Sequence, residues 1–436
     1  MTSSVSTAGI HQAAFEALVE RMAEPAWLSA MRHEAWHEYQ SMPMPGRGDE
    51  EWIRTDIRLL KLDQYRLPEP SDAGQSAPAK LTENVELAGQ VLTVNGNCVA
   101  QRLAPHWAAK GVIFCSLSDA VAQHGPLVRE HLFTKALDPH HDKFAALHAA
   151  CWTSGTFLYV PPGVVVDQPL HALTTIQGGG MDLGHTLVVL GEGADATFLC
   201  EWASHEPHDA GLHVGGMEVL VGPRAKLRWV SLQDFGTGVW NFGHQHAVVD
   251  RDASLQWTVG ALGARLAKVN QRVNLVGPGA ECQVNGVMFT EGKQHLAYHT
   301  LQHHQAPSCR SDFLYKAALQ DQSRTVWRGM IKVDKGAQKT DGYQRNDNLM
   351  LSNTARADAI PGLEIEADDV RCTHGSTTAR VDDELIFYAQ ARGYTRQEAT
   401  RMVVTGFFQQ VFDRITIDSV REALGRAIAR RVREYE

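Results

Sequence analysis

His185-Thr-Leu-Val-Val-Leu-Gly-Glu-Gly-Ala194-Asp-Ala-Thr-Phe-Leu-Cys200 reads as an alternating apolar strand, a tight turn closed by a small residue, and a second strand. The phrase returns as Met217-Glu-Val-Leu-Val-Gly-Pro-Arg-Ala225-Lys-Leu-Arg-Trp229, as Ala247-Val-Val-Asp-Arg-Asp-Ala253-Ser-Leu-Gln-Trp257, and as Val273-Asn-Leu-Val-Gly-Pro-Gly-Ala280-Glu-Cys-Gln-Val284. The closing alanines are 31, 28 and 27 positions apart, a period typical of stacked supersecondary units. A single unit, apolar on a period of two, cannot cover both its faces, so the units must stack. Turn residues at fixed offsets in so short a repeat favour a β-solenoid over a propeller, whose blades are longer. The expectation is a mainly β protein with a right-handed parallel β-helix core. Past 280 the spacing widens, which predicts less regular later coils.

The chain has 436 residues and a formal charge of −9. That length suits two or three domains with a large core, and the charge argues against nucleic-acid binding, which rests on clustered Lys and Arg. No run is long and apolar enough to span a bilayer, and the N-terminus lacks a signal pattern, so a cytoplasmic protein without membrane contact is expected. The seven cysteines, at 98, 115, 151, 200, 282, 309 and 372, include no Cys-x-x-Cys pair. Most of them read as buried thiols in a reducing compartment.

Outside the repeat, Phe15, Leu18, Val19 and Met22, then Leu28, Met31, Ala35 and Tyr39 beyond Pro25, predict two helices. A Pro- and Gly-containing linker at 43–48 and a flexible, low-complexity connection at 68–80 follow. Asn95-Gly96 between alternating strands predicts a hairpin, and 116–150 is helical in pattern, placed to cover the first open coil. The expected organisation is 1–150 mostly helical with a small hairpin, 151–381 the β-helix, and 382–436 helical. In the last part Thr395-Arg-Gln-Glu398 is a capping box. The helix it opens has two apolar stripes, Ala399, Met402, Val403, Gly406 and Phe407 on one, Val404, Phe408 and Phe412 on the other. One stripe suffices for packing; the second either buries itself in a helical pair or docks another protein.

The densest reactive cluster is Val370-Arg-Cys372-Thr-His374-Gly375. Positions two apart on a strand share a face, so thiol and imidazole are neighbours. Two donors are too few to hold a metal alone, and the alternative is an inward row with a satisfied histidine. The pairs His140-His141 and His303-His304 point to opposite faces and read as surface or hydrogen-bonding histidines. Gly191-Glu-Gly193 is a solenoid turn, and no phosphate-binding loop motif occurs, so no intrinsic nucleotide site is expected. Glu364, Glu366, Asp368 and Asp369 are candidates for glycosidase-type chemistry but fit the solvated side of a strand and turn. A carbohydrate-active β-helix enzyme acting on polyuronides is the rival class, and a self-assembling structural protein a third.

Several segments resemble the SufB/SufD family of iron–sulfur cluster assembly scaffolds: Glu24-Pro-Ala-Trp-Leu28, Glu50-Glu-Trp-Ile-Arg-Thr-Asp56, Asp142-Lys-Phe-Ala-Ala-Leu147, Gly155-Thr-Phe-Leu-Tyr-Val-Pro-Pro-Gly163, Asp341-Gly-Tyr-Gln-Arg-Asn-Asp-Asn-Leu349, Cys372-Thr-His-Gly375 and Leu385-Ile-Phe-Tyr-Ala-Gln-Ala-Arg-Gly393. The resemblance implies a parallel β-helix between helical end domains, pairing with a SufB-like subunit through the β-helix cores. It also implies docking of a SufC-like ATPase through the C-terminal helices, here Val404, Phe407, Phe408, Val411 and Phe412. The SufD-like branch fits better than the SufB-like one, because the N-terminal cysteine motif is absent, Arg345 stands at the catalytic cysteine's place, and His374-Gly375 replaces a His-Glu pair. His374, and with it Cys372, is then the implied ligand at a transient iron–sulfur cluster shared with the partner. The chain itself is a non-catalytic scaffold in this reading, and an isolated chain is expected to be able to pair with itself.

Overall fold

The computed structural model describes residues 9–83 and 85–433. Among them two long sheets of ten strands each run side by side, one from Asn97–Leu103 to Val370–Arg380, the other from Ile113–Ser116 to Arg356–Ile365 with the short strand Met181–Asp182 paired beside its main path. The chain alternates between the sheets, and apart from an antiparallel pair at the N-terminal end of each, successive strands within each sheet pair in parallel. This is a parallel β-solenoid, each coil giving one strand to each sheet. Its interior is filled by rows of identically placed side chains, among them Phe198, Trp229 and Trp257, which are in register on neighbouring coils and buried.

The turn seen in the repeated phrase has a definite geometry. The residue before each closing small residue adopts a left-handed conformation: Gly193 and Gly279, but also Arg224, Asp252 and Ser308, at φ 58°, 55° and 60°. Its N–H donates to a carbonyl of the next coil, as in Gly193 to Pro223, Arg224 to Arg251 and Ser308 to Gln338, each at 2.8 Å. A ladder of hydrogen bonds therefore descends one corner of the stack.

The later coils are regular, contrary to the sequence expectation. First-sheet strands begin at Ser254, Glu281, Arg310, Thr340 and Val370, so the interval settles at about thirty residues. Cys309, buried in the core, stands where the earlier coils have alanine, which hid the repeat from a search for alanines.

The helices form as their signals predict. Gln12–Met22 and Ala26–Ser41 flank Pro25, and Thr395 and Glu398 close their capping box at the start of Arg396–Phe412. Two expectations change. The hairpin of Gly89–Val94 and Asn97–Leu103 is no separate unit, because Gly89–Val94 pairs in parallel with Leu170–Ile176 and extends the first sheet. The connection at 68–80 is an ordered strap: Ala77 donates to Thr175 Oγ1 at 3.0 Å, and Lys80 and Leu81 donate to the Glu201 carboxylate at 2.8 and 3.0 Å. Its backbone is satisfied by side chains of the sheet, a partnership that composition cannot reveal. Among the described residues no helix is long and apolar enough to cross a membrane.

Burial of histidines gives the fold an acid sensitivity. Burial pushes His295 and His304 down to about 4. Both stay neutral in the folded chain but take up a proton when unfolded, so the stability they confer is full above pH 6.5 and declines as the pH falls toward 4. His141 acts oppositely, raised by its bond to Glu51, and its contribution fades as the pH climbs above 6.5. Urea titrations are expected to lose about 1–3 kcal/mol per pH unit between pH 6 and 5. A flat profile there would contradict this burial.

Candidate functional site

The C-terminal end of the solenoid is open, its last strands largely exposed. The last strands of the two sheets, Val370–Arg380 and Arg356–Ile365, pair on one side only among the described residues. Their outer edges leave backbone donors and acceptors unpaired, the condition under which a sheet recruits another strand.

His374 lies on this last rung. In register it continues the inward row Leu170, Phe198, Trp229, Trp257, Val284, Phe313 and Gln344. All seven beneath it are buried, but no further coil lies above His374, and its ring is exposed. No hydrogen bond from a described residue holds the imidazole. The satisfied inward histidine weighed from the sequence is therefore not what the fold provides. Gln344, directly below, donates to the Gly362 carbonyl at 2.9 Å, while its Oε1 is buried without a partner.

Cys372 occupies the neighbouring inward row above Gly342, where an added Cβ would lie 3.3 Å from the thiol sulfur. It is half-buried and packs with Val370 against Ile331 and Val333. Burial raises its pKa above the ordinary thiol value, so the sulfur is protonated at neutral pH. Leu363 and Ile365, on the facing last strand, are partly exposed and give the open end an apolar rim that sequence reading missed. Thus the end coil presents one free imidazole, one thiol, an unpaired backbone edge and apolar side chains on one surface.

On the outer face, Asp347 ties this strand to its neighbours. It accepts from Thr377 Oγ1 at 2.6 Å and from Arg345 Nε at 3.0 Å, and it lies 3.6 Å from Lys316 Nζ. Lys316 in turn donates to the Phe407 carbonyl of Arg396–Phe412 at 2.9 Å.

The residues expected to dock an ATPase are placed differently. Val404, Phe408, Val411 and Phe412 are buried in a core shared with Val230, Leu232, Phe289 and Leu314 of the first sheet and with Val420 and Leu424 of Asp418–Arg431. Phe407 is partly buried against the same core. This stripe covers the outer face of the protein's own sheet and is not available to a partner. What the C-terminal helices expose is Leu385, Phe387, Tyr388, Tyr394 and Met402, with Phe387 73% exposed. A signal existed: Leu385-Ile-Phe-Tyr388 covers more of a helix circumference than one packing face can bury, and only Ile386 is buried.

The other groups read as surface features lie as expected. Glu364, Glu366, Asp368 and Asp369 are exposed on the last coil, and Glu364 pairs with Lys332. His303 bonds Asp334, and the buried His304 bonds Ser311.

Residues 173–407 match the family profile described as "SUF system FeS cluster assembly, SufBD core domain", and residues 11–172 that of the "SufBD protein N-terminal region". The iron-sulfur cluster assembly protein SufD of Bacillus subtilis is 27% identical over 432 residues, covering 97% of this chain and 98% of that protein. The SufB protein of the same organism is 25% identical over 421 residues, 93% and 89% of the two chains. A SufBD family protein of Mycobacterium leprae is 32% identical over 296 residues, 66% of this chain and 74% of its own. With matches that run through both the helical N-terminal part and the solenoid, the chain belongs to the SufB/SufD family of the SUF iron–sulfur cluster assembly system.

Proposed function

We propose that this chain is the SufD-like, non-catalytic member of a cytoplasmic scaffold complex, and that His374 supplies a ligand to a cluster assembled between it and a SufB-like subunit. The observation that carries the reading is the free imidazole at the end of an otherwise buried row, on a coil whose edges are unpaired. An imidazole alone grips iron weakly and must be joined by donors from a second chain. The half-buried position of Cys372, packed with Val370 against Ile331 and Val333, favours a packing role over ligation in the isolated chain. The cluster is cargo, shared transiently and passed on. Membership in the family supports cluster assembly over the polyuronide-enzyme and self-assembling readings.

A SufC-like ATPase then docks on the exposed row Leu385, Phe387, Tyr388, Tyr394 and Met402. The contacts from Phe407 through Lys316 and Asp347 to Thr377 support coupling between those helices and the strand that carries His374. Isolated, the same open end suits a homodimer.

The test is co-expression with SufB-like and SufC-like partners, reading complex yield and cluster absorbance separately. His374→Ala is expected to leave the complex intact and reduce cluster absorbance at least tenfold, whereas Cys372→Ala changes it little. Loss of the complex itself would assign His374 to packing. Phe387→Asp is expected to abolish co-purification of the ATPase while leaving the circular dichroism spectrum unchanged, and retained ATPase would move the docking surface elsewhere.

A further inference from the structure

A second polar cluster lies where the N-terminal helical layer meets the outer face of the second sheet. His141 and Asp142 come from the loop that leads into Lys143–Cys151, His244 from the strand Gly238–Val249, and Glu51 from the segment before Trp52. The strand with His244 is four strands in from the open edge of its sheet, roughly 19 Å at ordinary strand spacing. The cluster is therefore separate from the end coil.

One nitrogen or oxygen atom from each of His141, Asp142 and His244 lies within 4.8 Å of the others. His244 Nε2 is 3.2 Å from Asp142 Oδ2, and Glu51 Oε2 is 3.5 Å from His141 Nε2. Four ligands bound to one metal at 2.0–2.1 Å in a tetrahedron are about 3.3 Å apart. The Asp142–His244 and Glu51–His141 pairs have about that separation, and Glu51, outside the mutually close set of three, reaches the site through His141.

The supports are rigid. Asp142 Oδ1 caps its helix, accepting from Phe144 and Ala145 at 2.9 and 2.8 Å, which leaves Oδ2 turned to the cluster. His244 is buried, its contact with Asp142 is the one hydrogen bond its ring makes among the described residues, and its Nδ1 is buried without a partner. The buried Nε2 of His244 is thus held toward Asp142 and the cluster. Lys268 and Arg272 border the site and oppose a cation; the carboxylates of Glu51 and Asp142 offset them. The set of two imidazoles and two carboxylates suits a borderline divalent ion, zinc or ferrous iron, over calcium or magnesium.

From this we infer that His141, Asp142 and His244, completed by Glu51, form a site for a divalent first-row transition metal that clamps the N-terminal layer to the solenoid. The site lies outside the cluster-building surface and does not depend on it.

Cobalt(II) titrated into the chelator-stripped full-length protein tests this, because four-coordinate cobalt has strong visible bands. One equivalent is expected to bind with those bands and to raise the melting temperature. His244→Ala and His141→Ala are each expected to weaken that binding at least tenfold and to remove the thermal shift, whereas His374→Ala and Cys372→Ala leave both unchanged. His141 is partly exposed, so its variant carries the test if His244→Ala fails to fold. Absence of stoichiometric binding would overturn the inference, as would a site lost in His374→Ala but kept in His141→Ala.

Discussion

Glu24→Ala is expected to lower the stability of the protein by about 3–5 kcal/mol, the usual result of stripping the partner from a buried charge. Arg32 is fully buried: its Nε and one terminal nitrogen grip the two Glu24 oxygens at 2.6 and 2.8 Å, and the other terminal nitrogen donates to the Ala150 carbonyl at 3.0 Å. Its guanidinium also lies over the Trp152 ring, 4.4 Å from the centroid. These contacts bind the helix Ala26–Ser41 to Lys143–Cys151, the helix that leads into the first complete coil. Without Glu24 the guanidinium stays in the interior with one carbonyl for company. Replacing both charges by apolar residues, Arg32→Met with Glu24→Met, is expected to recover most of the loss, since a well-packed apolar pair often equals a buried ion pair. Chemical denaturation of the two variants reads both effects, and a loss under about 1 kcal/mol for Glu24→Ala would show the pair to be dispensable.

The second large effect separates the packed face of the C-terminal helices from their exposed one. Phe408→Ala removes a ring buried between Arg396–Phe412 and the first sheet, and is expected to cost about 3–5 kcal/mol. Phe387→Ala, at an exposed position, is expected to change stability by less than about 0.5 kcal/mol. Thermal melts of the two variants side by side decide between the buried stripe and the exposed one. Equal effects would refute the division of the helices into a packing face and a free face.

What could be read from the sequence followed from local periodicity. Alternation of apolar residues and the turn before Ala194, Ala225, Ala253 and Ala280 specify the solenoid, because both are dictated by strand pleat and backbone conformation within a few residues. The positions of Cys372 and His374 on one face of a strand followed from the same rule. Their exposure did not, since it depends on no further coil covering the last rung, a fact about the stack as a whole. The apolar stripe Val404, Phe408 and Phe412 showed that something must cover that helix face, but not whether the cover was the protein's own sheet. Glu201 and Thr175 holding the strap at 77–81, and His244 meeting Asp142 across about a hundred residues, are contacts between distant segments with no periodic trace in the sequence.

The stack has a direction in time as well as in space. Each rung takes its hydrogen bonds chiefly from the one before, and a chain leaving the ribosome presents its rungs in that order. Growth can proceed as on a finished template, with each newly emerged strand laid on the edge of the last and that edge hidden as soon as the next arrives. Among the described residues the strand that bears His374 is the last rung, so its unpaired margin is created after everything beneath it is set. Such an order keeps the interval of unprotected stickiness short and confines it to the last coil.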